Sequence, residues 1–298
     1  MMTFSLVAYD PDTEEIGIVV QSKAFAVGGL VPHVKAGVGA VATQSLVNVS
    51  LGPTGLELME EGKSPEEILA EFEQLDPSLQ VRQLGLFSVN HGPLSFTGTG
   101  CIDWAGGMTG ADFACQGNIL TGSEVIEALA TTFEDSDGPL ALRMVEAMLA
   151  AEHAGGDARG SQSAAIIIEQ PNHGRANYGH RKIDLRVEDH AQPLEELYRL
   201  VTIQLLNYTI QEVSQQFVTE PEAAIERLEA AIGGKIDHPY DEAWLSLAEL
   251  YFQYDQLDEA KRCINNCITI HPGMAKIIRI YPDLGSALTK DFVEEVLP

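Results

Sequence analysis

Positive charge is what this 298-residue chain has least of: 18 Lys and Arg stand against 44 Asp and Glu, a formal net charge of -26. A polyanion repels nucleic-acid backbones and anionic membranes, so neither is expected as a partner. The deficit is spread along the chain, with 10 basic and 26 acidic side chains in residues 1–192 and 8 and 18 in residues 193–298. It reads as a solvated surface, not an acidic tail. Cysteine is scarce too. Cys101, Cys115, Cys263 and Cys267 are too few for a disulfide framework at this length. Cys263 and Cys267 share a helical face but lack the further ligands of a zinc site. No run approaches the ~18 apolar residues that span a bilayer, and the opening MMTFSLVAYDPDTEE has no basic segment of the kind a signal peptide carries. A cytoplasmic protein is expected. The common catalytic signatures are also missing: there is no HExxH, no Walker sequence and no GxSxG elbow. His173, His180 and His190 fall near Asp184 and Asp189 but read as loop and strand-end hydrogen-bonding groups, so no metal is expected.

What is present divides in two. Residues 3–9 and 15–22 are apolar runs around the turn-forming DPDTE, a hairpin pattern. Further strands are expected at 38–45, 83–89, 94–100, 112–118, 163–170 and 182–189. Helical spacing appears at 56–59, 65–72, 124–133 and 139–152, the second opened by Ser64 with Glu67 three residues on. Strands arriving as hairpins, with helices gathered in pairs, predict an α+β domain over residues 1–192 with two packed antiparallel sheets and flanking helices.

From residue 193 to 298 the pattern is helical only. Leu194, Leu197, Val201, Leu205 and Tyr208 form one stripe, and residues 221–232 form a helix stopped by Gly233-Gly234. In residues 241–272 the spacing of Trp244, Leu247, Ala248, Tyr251, Ala260, Ile264, Cys267 and Pro272 is similar to a tetratricopeptide repeat. Small residues at 248 and 260 let two antiparallel helices touch. About three repeats normally build a groove, so a packing or self-association module is the leading expectation for this part, and a homo-oligomer follows from it.

Chemistry has one conspicuous place to sit. A chain beginning at Thr3 would place a hydroxyl and a free α-amine on one residue at the start of a strand. The amine, with a pKa of roughly 8, can take the hydroxyl proton. Ser22 and Lys23, at the end of the partner strand, supply a polar neighbour and a cation. Excision normally removes one Met ahead of a small residue, so Thr3 is freed if Met2 is the true start. The plainer alternative is that Thr3 merely opens a strand.

The segments TFSLVAYDPDTEEIGIVVQSKAFAVGG, VPHVKAGVGAVATQS, CIDWAGG, DFACQGNIL, GGDARGSQSAAI and KIDLRVEDH resemble the bacterial and archaeal domain-of-unknown-function family numbered ten twenty-eight. That resemblance covers about residues 3–192 and implies the four-layer αββα sandwich of the N-terminal-nucleophile hydrolases. It also implies Thr3 as nucleophile and its own amine as base. Gln21, Ser22 and Lys23 would stand where proteasome-like enzymes carry Asp-Ser-Arg, with Gln21 replacing the acid, and Lys35 is a further site cation. Gln116 and Asn118 could orient a substrate or complete an oxyanion hole, or simply hold a turn. Gln44 and Asn48 follow the third strand toward the same cleft. Asp157 and Arg159 could face a substrate or pair to anchor their loop.

The expected function is therefore hydrolysis of a small amide or peptide-like bond with no organic cofactor, Lys23 favouring a substrate that carries a carboxylate. The alternative is a non-catalytic scaffold on a hydrolase fold that meets a protein partner through its C-terminal helices.

Overall fold

The computed structural model describes residues 3–174, 178–233 and 240–297, so Met1 and Met2 lie outside the described residues. The chain forms two compact units, Met1–Val201 and Thr202–Pro298.

In the first unit, β1 (Thr3–Asp10) and β2 (Glu15–Ser22) form the expected hairpin. Asp10 accepts hydrogen bonds from the main-chain N–H groups of Asp12 and Thr13, which tightens the turn. Next come β3 (Pro32–Lys35), β4 (Gly39–Ser45), α1 (Leu51–Glu60), α2 (Pro65–Leu75), β5 (Arg82–Ser88) and β6 (Gly92–Thr97). The unit continues with β7 (Gly106–Thr109), β8 (Phe113–Asn118), α3 (Glu124–Glu134), α4 (Leu140–His153), β9 (Ser163–Glu169) and β10 (Arg181–Val187). The strands make a six-stranded sheet, β10-β9-β2-β1-β8-β7, and a four-stranded one, β3-β4-β5-β6. The pairings within both are antiparallel.

Side-chain alternation explains the stacking. Val7, Ile16, Ile18, Val20, Ala165 and Ile167 of the larger sheet share one buried cluster with Ala40, Ala42 and Phe87 of the smaller. The alternate residues Val41, Leu84 and Leu86 pack instead with Leu51 and Met59 of α1 and Ile68 and Phe72 of α2. On the far face of the larger sheet, α4 lies on β1 and β2 and α3 on β8. There Phe113 meets Phe133 edge-on, with ring centroids 5.3 Å apart. The Ser64–Glu67 capping box forms as expected at the start of α2.

Helix α1 begins five residues earlier than its apolar spacing implies. Its first turns carry Gly52, Pro53 and Gly55, which mask the helical signal. The glycines are there for contact: a Cβ on Gly52 would lie 2.1 Å from the His33 ring. The short edge strands β3 and β7, four residues each, are too brief for alternation to register.

The chain continues through α5 (Pro193–Gln216), which crosses the division at Val201/Thr202, so the units part inside a helix and not just before it. The second unit then holds α6 (Pro221–Ile232), α7 (Asp241–Gln253), α8 (Leu257–Ile270), α9 (Met274–Ile280) and α10 (Lys290–Val296). Trp244, Leu247, Ala248 and Tyr251 of α7 and Ala260, Cys263, Ile264 and Cys267 of α8 are buried in one cluster, so the spacing read from the sequence does mark a packed helix pair. Burial pushes both thiols up to about 12, which leaves them inert. Along α5, Leu206 and Val213 are the buried apolar residues of this unit, with Leu205 and Tyr208 only half-buried.

Candidate active site

Thr3 opens β1, the strand held between β2 and β8, with Ser22 and Asn118 as its register partners. Alternation then places Thr3 and Ser5 on the same face as Val7, toward the smaller sheet. Here the space between the sheets changes character. Thr3, Ser5, Ser22, Gln44, Gln83, Gln116 and Asn118 are all buried. Thr3 Oγ1 donates to Ser22 Oγ at 3.2 Å. The Thr3 carbonyl accepts from Gln44 Nε2 at 3.3 Å and Asn118 Nδ2 at 3.4 Å.

Gln83 is the hub behind this contact. Its Oε1 accepts from Gln44 Nε2 at 2.8 Å and Asn118 Nδ2 at 2.9 Å, while its Nε2 donates to Thr97 Oγ1 at 2.9 Å and the Gly117 carbonyl at 2.7 Å. Ser5 Oγ donates to Gln44 Oε1 and accepts from Gln116 Nε2, both at 2.7 Å. The amide N–H groups of Gln44 and Asn118 are therefore spent on positioning the first strand. Gln116 Oε1 and Asn118 Oδ1 are left without a partner among the described residues. Gly85 makes room for this layer, since a Cβ there would lie 2.3 Å from Gln116 Oε1.

The loop after α4 lies across the end of β1. Gly155 and Gly156, at φ +128° and +56°, turn the chain out of the helix. Asp157 then bridges to Leu120, just past the end of β8, and its Oδ2 accepts from Lys23 N at 3.2 Å, just past the end of β2. The Asp157 carboxylate is wholly buried and pairs with Arg159 Nη2 at 3.3 Å. Gln162 N donates to the Ser22 carbonyl at 3.0 Å. An anionic side chain is thus fixed beside the point where β1 begins, between the ends of its two neighbours. Three exposed apolar side chains lie on loops: Phe25 after β2, Leu46 after β4 and Ile102 between β6 and β7.

Other anticipated residues fall elsewhere. Lys23 is exposed, with its Nζ donating to the Ser161 carbonyl at 3.1 Å. Asn48 donates to Asp76 Oδ2 at 2.9 Å and braces the loop between β4 and α1. Burial raises the Asp76 pKa, but hydrogen bonds from Arg82, Asn48 and Ser78 N outweigh it and hold the carboxyl below its ordinary value. Lys35 pairs with Glu60 at 2.6 Å and lies opposite Gly39, the other end of β4 from Gln44, roughly 17 Å along the strand. The structure does not bring it to Thr3. Gln21 is paired with Phe4, on the face away from Thr3, and neither of its amide atoms has a partner among the described residues. Ser5, Gln83 and Thr97 escaped the sequence reading. For Ser5 and Thr97 the signal was a polar residue at alternate positions of an otherwise apolar strand.

The chain belongs to the family of unknown function DUF1028, whose model matches residues 3–197. It is similar to the crystal structure of protein SPO2555 from Silicibacter pomeroyi, also of DUF1028. That likeness has a TM-score of 0.61 and 28% identity, and covers 67% of this chain and 88% of the other. No curated protein matches it. No helix among the described residues is long and apolar enough to cross a membrane.

Proposed function

We propose that the first unit is an amide hydrolase whose nucleophile is Thr3 Oγ1 and whose base is the Thr3 α-amine, in a chain processed to begin at that residue. The reading rests on one observation above all: a hydroxyl at the start of a central strand, buried among amides and a second hydroxyl, where the same layer is hydrocarbon four residues further on. The helix–sheet–sheet–helix layering, which resembles the N-terminal-nucleophile hydrolases, also favours it.

The amine takes the hydroxyl proton and Oγ1 adds to the amide carbon. The C–N bond breaks, with the leaving nitrogen receiving that proton, and an ester remains on Thr3. Water, deprotonated by the same amine, then releases the acid and restores the hydroxyl. Ser22 Oγ, at 3.2 Å, is placed to pass the proton. Gln44 and Asn118 hold the Thr3 carbonyl and Gln83 braces both amides, and in this reading the Asp157 carboxylate, bound to Lys23 N beyond Ser22, orients the ammonium form. The chemistry calls on no metal or organic cofactor and fits a cytoplasmic enzyme acting on a small amide. In the second unit we read the α7–α8 pair as tetratricopeptide-like.

The test is a β-lactone warhead, which acylates an activated hydroxyl, followed by mass spectrometry of the intact chain and its peptides. The expected adduct is on Thr3, retained in Thr3→Ser and absent in Thr3→Ala, with turnover falling at least about 10³-fold in the latter. Labelling elsewhere that persists in Thr3→Ala, or a cellular chain that keeps Met2, would overturn the reading.

A further inference from the structure

The second unit contains a groove that the hydrolase reading leaves unused. It has a volume of about 310 Å³ and runs between α5 and α7, with Tyr281 at one end. Beyond Tyr281 a second hollow of about 340 Å³ adjoins it and reaches the exposed Leu284. Volumes of this size accept a few amino-acid residues.

The walls differ in chemistry. From α5 come two amides, Asn207 and Gln211, and from α7 two carboxylates, Glu242 and Glu249. Ile210 and Leu245 provide an apolar strip between them. The ion pairs of this unit join Arg227 to Glu212, Lys261 to Glu295, Arg262 to Glu229 and Glu259, Arg279 to Glu294 and Lys290 to Asp283, and His271 Nδ1 lies 3.0 Å from Asp241. Among the described residues none of them reaches Glu242 or Glu249, and no basic side chain lines the groove. Glu249 does accept from Ser286 Oγ, and Asn207 Nδ2 lies 3.5 Å from the Tyr240 hydroxyl. Each keeps free acceptor capacity. Burial first, and then Glu242 and Glu249, push the Tyr281 phenol above its ordinary value, the mark of an electronegative hollow.

Spacing narrows the ligand. Residues four apart on a helix are about 6 Å apart along its axis, close to the ~6.6 Å between alternate residues of an extended chain. Asn207 and Gln211 can therefore meet successive exposed peptide groups of a strand lying along α5. Glu242 and Glu249, seven apart and about 10.5 Å along the axis, fall between the ~6.6 and ~13 Å spacings of side chains on one face of that strand, a difference that long, flexible cationic side chains span. A side chain with an aliphatic stem and a cationic head suits the pairing of an apolar strip with a carboxylate rim.

We propose that this groove binds an extended, lysine- or arginine-bearing peptide segment, its backbone held by Asn207 and Gln211 and its cations by Glu242 and Glu249. The proposal does not draw on the Thr3 reading, so either can fail alone. The probe is a fluorescein-labelled octapeptide of alternating Lys and Ser, titrated with the full chain by anisotropy. The control peptide carries Gln in place of Lys.

The expected result is saturable binding that weakens between about 50 and about 300 mM salt. Glu242→Gln/Glu249→Gln should lose about tenfold or more in affinity, since each lost charge-assisted contact costs on that order. Asn207→Ala/Gln211→Ala should weaken binding at unchanged salt dependence. Glu73→Gln/Glu226→Gln removes the same charge from exposed positions elsewhere and should leave affinity unchanged. If that control weakens binding as much as the groove pair, attraction to the acidic surface as a whole explains it and the proposal fails. It fails equally if the Gln peptide binds as tightly, or if the Lys peptide does not bind.

Discussion

The space between the two sheets has two ends that share β1, β4 and β5 and are filled in opposite ways. At one end Val7, Ile16, Ile18, Val20, Ala40, Ala42 and Phe87 meet in a dry cluster. At the other, along β1, β4, β5 and β8, the side chains are Thr3, Ser5, Gln44, Gln83, Gln116 and Asn118, equally buried. The apolar end stabilises by removing hydrocarbon from water, roughly 2–3 kcal/mol for each large side chain. The polar end gains little net from its hydrogen bonds and carries orphaned acceptors on Gln116 and Asn118, each costing about 1–3 kcal/mol. A fold under pressure for stability alone would fill both ends alike. Under the proposed function the Thr3 end is the part of the interior kept for chemistry, and mutations at the two ends should then separate stability from activity.

Phe87→Ala should have the largest effect on folding, a loss of about 3–5 kcal/mol in denaturant unfolding. Turnover per folded molecule should hardly change. Gln83→Leu should do the reverse. It strands the donors of Gln44 and Asn118, costs about 1–3 kcal/mol, and loosens the Thr3 carbonyl, so warhead labelling should fall more than stability does. Equal loss of both would erase the distinction between the ends. Gly85→Ala brings a Cβ to within 2.3 Å of Gln116 Oε1 and should push that amide aside. An unfolding cost of about 1–3 kcal/mol is expected, readable by calorimetry, and Gln116→Ala should relieve it.

The smallest effect concerns pH. Because Asp76 is held below its ordinary pKa, its contribution is present above the unfolded value of roughly 3.9 and is lost as pH falls through the folded one. Wild type should thus exceed Asp76→Asn in stability by about 1–2 kcal/mol at neutral pH, with the gap closing in acid. A gap that persists at low pH would mean the two side chains differ in packing and not in charge.

Much of this frame was legible from local pattern. The β1–β2 hairpin, the capped start of α2 and the α7–α8 pair follow from alternation, capping chemistry and small residues at helical spacing. Gln44, Gln116 and Asn118 were legible as site candidates because each ends an apolar strand with an amide. Gln83 was not, since it opens a run that reads simply as apolar. Lys35 was misleading for the opposite reason: near the third strand in sequence, it lies at the wrong end of the sheet, held by Glu60. Gln21 and Ser22 are adjacent, yet strand geometry sends them to opposite faces, so only Ser22 touches Thr3.

By itself the sequence determined most of the segments that become strands and helices (the short β3, β7 and α9 excepted), where several of them stop, and that the surface is strongly acidic. These depend on neighbours a few residues apart and on composition. That Thr3, Gln44, Gln83 and Asn118 would converge was decided only by the tertiary structure. Their meeting requires β1 to pair with β8, β4 with β5, and the two sheets to stack in one register, and such long-range pairings are set by the whole core at once, not by any local pattern.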